Sequence, residues 1–275
     1  MPFASINGQE IHFEDSGGPG LPVVLGHGFL MDQSMFDPQV AVLAPEHRVI
    51  RWDARGFGQT RWDGRPFSYW DLADDVVGLL DHLGIAKAVV GGMSQGGFSA
   101  LRVALRWPER VRGLVLISSQ AGTEAAEALG GYTAMLDTWE AMGAIDPLIE
   151  AVAGLILGSR TLWEPWTTRM RALPKENVRA PGMCLFLRDD VTSRLIEIPF
   201  PAIVFHGTAD ASIPMERAEA LARGLPGCER LVRIEGASHA SNLSHPEAVN
   251  GPLLAFLRGL AARSEAPVTA CGAPA

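Results

Sequence analysis

Short apolar runs alternate with longer amphipathic ones along the first half of the chain. Pro22–Gly26 (PVVLG), Arg48–Trp52 (RVIRW), Ala88–Gly92 (AVVGG) and Arg112–Ser118 (RGLVLIS) are the short ones. The last three lack a clean apolar–polar alternation, which predicts strands covered on both faces in a parallel sheet. Leu72, Val76, Leu79, Leu80 and Leu83 fall at helical spacing, with Asp71 as the expected N-cap and Gly84 as the C-terminal stop. Gly96–Trp107 reads as a second helix, ended by Pro108. Strand, helix, strand, helix in this order predicts an α/β protein with a mostly parallel, doubly wound sheet and right-handed crossovers.

The pattern changes after Ser118. Residues 121–187 carry helix-like pieces, an apolar segment at Ile149–Leu157 and punctuating Pro147, Pro165, Pro174 and Pro181, with no convincing strand. The alternation then resumes: a strand at Pro201–His206, a helix from about Met215 to Leu225, a strand at Arg230–Ile234 and a last helix from His245 to about Ala262. The expected organisation is one sheet domain, residues 1–120 and 188–262, interrupted by a helical cap at 121–187. Residues 263–275, small and rich in proline and alanine, are expected to be a disordered tail.

Composition narrows the function classes. With 47% hydrophobic and 20% charged residues in a chain of 275, there is ample material for a full core. Cys184, Cys228 and Cys271 are too few and too scattered for a disulfide framework or a metal cluster, and their odd number suits a reducing compartment. The formal charge is −8, only Lys87 and Lys175 are lysine, and no basic run is present, so a nucleic-acid partner is not expected. The apolar stretch Ala151–Leu157 is far short of the ~20 residues of a membrane span. The start MPFASINGQE has neither the basic nor the apolar region of a signal peptide. A soluble, cytoplasmic protein is expected.

Gly92-Met93-Ser94-Gln95-Gly96 carries the strongest chemical signal. It follows an apolar run and opens a helix, the context in which a G-x-S-x-G turn lifts a serine hydroxyl to the carboxyl edge of a sheet. A serine is a weak nucleophile until a base takes its proton, so a histidine and an orienting acid are needed. His239, in the loop after the strand at 230–234, is placed for the base; Asp210, just after the strand at 201–206, is placed for the acid. His245 reads instead as helix punctuation, in the capping box Ser244-x-x-Glu247. His206 reads as packing at a strand end, and Glu124 is the nearest carboxylate to the alternative acid position around Ser118-Ser119-Gln120. An oxyanion would find its first donor in the Gln95 amide and its second in the His27-Gly28-Phe29 loop, where the His27 side chain is expected to be structural.

These stretches, with Leu25–Phe29, Arg51–Gly58, His206–Asp210 and Gly236–Leu243, resemble the α/β-hydrolase-fold serine hydrolases over roughly residues 3–262. Within them the chain looks most like the 3-oxoadipate enol-lactonases and the cofactor-free haloperoxidase/esterase group. The resemblance implies a Ser94–Asp210–His239 triad, oxyanion amides on Phe29 and Gln95, a helical cap, and no metal or organic cofactor. It implies a small-molecule ester or lactone as substrate, cleaved through an acyl-enzyme. A carbon–carbon bond hydrolase or perhydrolase would use the same residues, and a ligand-binding receptor would use the same fold. Gln95 stands where such enzymes often carry methionine or leucine, which is expected to alter the pocket floor. In the cap, Trp139 and Trp163 are candidate substrate contacts, with Trp166, Met135, Met142 and Leu155 as further possible lining. Arg160, Arg169, Arg171, Lys175 and Arg179 are candidates to pair with a substrate carboxylate.

Overall fold

The structure, a computed structural model, describes residues 2–124 and 126–265. Its strands are β1 Phe3–Ile6, β2 Gln9–Asp15, β3 Pro22–Gly26, β4 Arg48–Trp52, β5 Ala88–Met93, β6 Val111–Ile117, β7 Ala202–Gly207 and β8 Cys228–Ile234. They form one sheet in the order β1-β2-β4-β3-β5-β6-β7-β8. From β4 to β8 every pairing is parallel; β1–β2 and β2–β4 are antiparallel. The helices are α1 Asp37–Leu43, α2 Tyr69–His82, α3 Gln95–Arg106, α4 Ala126–Met142, α5 Asp146–Leu157, α6 Trp163–Ala172, α7 Arg179–Phe186, α8 Met215–Gly224, α9 Ser241–Ser244 and α10 Pro246–Glu265.

The central strands β5 and β7 are buried along their whole length, as their unbroken apolar runs predict. Helices α4 to α7 are inserted between β6 and β7, above the carboxyl ends of the strands. Two features depart from the sequence reading. The antiparallel β1–β2 hairpin at the edge was not expected from the apolar runs, although Asn7-Gly8, both at positive φ (49° and 78°), carries a two-residue hairpin signature. Helix α2 starts one turn earlier than expected: Ser68, not Asp71, is the N-cap, and Asp71 completes a capping box by accepting the Ser68 N–H at 2.7 Å. The earlier start buries Tyr69, whose ring meets Phe98 of α3 edge-on at 5.5 Å. Of the tail expected from Arg263, residues 263–265 continue α10, and 266–275 lie outside the described residues.

Candidate active site

The turn between β5 and α3 is set by contact, not by local propensity. Ser94 sits at φ 51°, ψ −111°, a conformation L-residues rarely adopt. Its N–H donates to the Ile117 carbonyl of β6 at 2.8 Å, which holds it there. The flanking glycines are required because α3 crosses β3 closely. A Cβ on Gly96 would stand 1.9 Å from the Gly26 carbonyl oxygen, and one on Gly92 would stand 2.2 Å from the same atom. Ser94 is thereby fixed at the N-terminus of α3, on the floor of a cavity roofed by the inserted helices.

The expected acid and base lie at the carboxyl ends of the next strands. His239 Nδ1 donates to Asp210 Oδ2 at 2.8 Å. Asp210 Oδ1 accepts the N–H groups of Ser212 and Ile213 at 2.8 and 2.9 Å, so its carboxylate is aimed by its own loop. Burial opposes charge on Asp210, but the His239 ring, its hydrogen bond and the Ile213 N–H leave the carboxyl below its ordinary value. His206 is fully buried, donates from Nε2 to the Ile213 carbonyl at 2.8 Å and passes 3.5 Å from Asp210 Oδ2. Burial pushes the His206 ring below its ordinary value, so a neutral imidazole braces the acid loop. Ser94 and His239 both line the cavity, at 7% and 5% exposure; no Ser94–His239 hydrogen bond is formed among the described residues. Such contacts commonly tighten only when substrate is bound.

The inserted helices also hold the loop that carries His239. The last turn of α5 leaves carbonyls without helical partners. Two of them are taken by the loop around His239: Ile156 O accepts the Ala240 N–H at 2.8 Å and Leu157 O accepts the Ser238 hydroxyl at 2.9 Å. On the other side of the cavity lies the loop after β3. Here His27 Nδ1 donates to the Gly28 carbonyl at 2.8 Å while Nε2 accepts the Ala54 N–H at 3.0 Å. Both ring nitrogens are committed, which makes His27 a loop brace. The N–H groups of Phe29 and Gln95 find no acceptor among the described residues, and Phe29 lines the cavity. The Gln95 side chain is buried against the Tyr69 hydroxyl, 3.5 Å away, and does not line the cavity, so it leaves the pocket floor unaltered.

The cavity wall is apolar and differs from the expected one. Met135, Leu155, Ile156, Phe98, Leu185 and Phe186 contribute to it. Trp139 and Trp163 do not. Trp139 is fully buried within the insertion, and Trp163 packs under the Arg160 guanidinium and donates to the Gly158 carbonyl. Aromatic character in the sequence marked these residues, but their spacing turns them toward neighbouring helices. None of the basic residues expected to meet a carboxylate reaches the cavity either. Arg160, Arg169, Arg171 and Arg179 are paired with Glu150, Asp32, Asp146 and Glu140. One carboxylate that the sequence reading set aside, Glu124, does line the cavity. It stands seven residues past the end of β6, and nothing in the chain around it marked it as a cavity residue. Among the described residues no group of three His, Cys, Asp or Glu side chains is gathered to hold a metal.

Such a sheet, with a serine on a glycine-flanked turn and a histidine–aspartate pair at neighbouring strand ends, defines a hydrolase class. The chain belongs to the alpha/beta hydrolase family, whose family model matches residues 23–251. It is 28% identical over 261 residues to a putative carbamate hydrolase RutD of Azorhizobium caulinodans, covering 93% of this chain and 98% of that one. Among solved structures it superposes on an esterase from Thermogutta terrifontis with a TM-score of 0.86 at 31% identity, covering 94% of this chain and 97% of that one. The enol-lactonase from Burkholderia xenovorans gives a TM-score of 0.85 at 27% identity, covering 94% of this chain and all of that one. The protein is a hydrolase.

Proposed function

We propose that the protein is a serine hydrolase that cleaves a carboxylic ester or lactone through an acyl-enzyme. The observation that carries this reading is the convergence on one apolar cavity of a strained, helix-capping Ser94 and of His239, itself held by Asp210 at 2.8 Å. Substrate enters with its carbonyl above Ser94. His239 Nε2 takes the hydroxyl proton as Oγ attacks, and the Nδ1–H bond to Asp210 holds the ring in the required tautomer and stabilises its charged form. The N–H groups of Phe29 and Gln95 receive the developing oxyanion, aided by the positive end of α3. The protonated His239 then gives its proton to the leaving alkoxide. In the second half it activates water to release the acid and restore Ser94. A lactone follows the same path, its alcohol remaining attached to the released acid. The esterase and enol-lactonase likenesses support this substrate class.

A fluorophosphonate probe tests the reading by forming a covalent adduct with an activated serine. Intact-mass measurement is expected to find one adduct on the wild type and none on Ser94→Ala, with p-nitrophenyl ester turnover lost in parallel by at least about 10³-fold. A folded wild type that takes no adduct, or a Ser94→Ala variant that keeps wild-type turnover, sinks the proposal.

A further inference from the structure

Glu124 is the one carboxylate among the described residues lining the cavity, and the mechanism above does not use it. It lies between β6 and α4, its side chain 15% exposed, on a wall shared with Phe98, Tyr132 and Leu185. Its ion-pair partner, Arg188, is buried to 1% exposure, lies over the Phe98 ring at 4.3 Å, and spends its other donors on the carbonyls of Gly122 and Leu185. Arg188 is thus locked from four sides and fixes Glu124 in turn.

The two oxygens of Glu124 are used unequally. Oε1 accepts both from Arg188 Nη2 at 2.8 Å and from Gln120 Nε2 at 3.3 Å, while Oε2 has no hydrogen-bond partner among the described residues. Gln120 is itself 3% exposed, and its Oε1 is buried without a partner. Turning that amide over would set oxygen against oxygen at Glu124, so the Gln120 N–H stays on Oε1 and Oε2 is left as the unanswered acceptor of the cavity-lining residue. In a cavity whose wall is largely apolar, an unanswered acceptor discriminates strongly, because a ligand without a donor leaves it desolvated.

We infer that Glu124 is a specificity-determining residue that selects substrates carrying a hydroxyl or amide N–H away from the reacting carbonyl, at the end of an apolar portion. The inference rests on the reading of Ser94 as nucleophile. The nearby guanidinium already balances the carboxylate charge, so a neutral donor suits the position better than an ammonium group. A substrate carboxylate is disfavoured, since it meets an acceptor here and no unpaired arginine of the insertion reaches the cavity.

The test compares kcat/KM for p-nitrophenyl hexanoate and octanoate, their ω-hydroxy derivatives and their ω-methoxy derivatives, with wild type and Glu124→Gln. The glutamine keeps the shape and an oxygen for Arg188 but turns an N–H toward the cavity. Wild type is expected to favour at least one hydroxy ester over its methoxy counterpart by about tenfold or more, and Glu124→Gln to bring that ratio within about twofold. Wild type that turns over the plain alkanoates but treats hydroxy and methoxy esters alike overturns the role of Glu124 and leaves the hydrolase reading intact. A preference that survives in Glu124→Gln overturns it too, by tracing the selection to size. If wild type turns over none of the esters and takes no fluorophosphonate, the hydrolase reading fails, and this inference with it.

Discussion

At the scale of single residues, the site is a set of polar groups that folding has left with one open valence each. Asp210 is saturated on one oxygen by its own loop and offers the other to His239; His27, bonded through both ring nitrogens, and His206, bonded through Nε2, serve as braces. Removing the charge at Asp210 therefore acts on the base, not on the scaffold. Asp210→Asn is expected to keep the fold and to lower kcat for an aryl ester by about 10³–10⁴-fold with little change in KM, because the amide favours the wrong tautomer of His239. Stopped or steady-state kinetics beside a circular-dichroism melt check this; a loss of less than about tenfold in a folded variant would remove Asp210 from the mechanism. The pairing of Asp210 with His239 was legible from position, each residue lying just past the end of a strand. Glu124 was not, because its role depends on Arg188, 64 residues away and brought beside it only by the insertion.

At the scale of elements, the body was legible and the edges were not. Strands β3 to β7 announce themselves as apolar runs because they lie largely buried within the sheet, whereas β1 and β2, toward one edge, mix in polar residues and are marked only by their Asn7-Gly8 turn. The start of α2 shows the same limit. Ser68 and Asp71 are both good capping residues, and the choice falls to Ser68 because one further turn buries Tyr69. Ser68→Ala is expected to cost about 1 kcal/mol of unfolding free energy. Asp71→Ala costs less, since it removes the reciprocal bond and a favourable charge near the helix start but leaves the Ser68 cap. Urea unfolding of the two variants decides it, and the reverse ranking would return the N-cap to Asp71. The inserted helices were recognisable as helical but not as a wall. Their apolar residues serve both their own packing and the cavity, and periodicity does not separate the two, as Trp139 and Met135 illustrate from opposite sides.

At the scale of the whole molecule, the buried titratable groups decide how stability responds to acid, and their signs agree with one exception. Burial, with a smaller push from His239, drives His206 below its ordinary value of 6.5 against the pull of Asp210, and burial also dominates at His47. Both rings are neutral in the fold and take up protons more readily when it opens. Asp53 and Asp210 are buried, which opposes their charge, yet hydrogen bonds and neighbouring imidazoles hold both below their ordinary value of 3.8. A group lowered by folding contributes stability that is present above its unfolded value and is lost as pH falls through its folded value. Asp75 runs the other way: burial raises it despite the bidentate Arg55, so protonation in mild acid relieves part of its burial cost. The histidines should therefore act first. From about pH 7 to about pH 5 the melting temperature is expected to fall, by roughly 2–4 °C for each kcal/mol lost, and more steeply below about pH 4 as the carboxylates follow. His206→Gln, which cannot take a proton, should flatten the upper limb while leaving the lower one. A melting temperature that is level between about pH 7 and about pH 5 in the wild type, or a limb that His206→Gln leaves unchanged, would show that the buried histidines do not govern it.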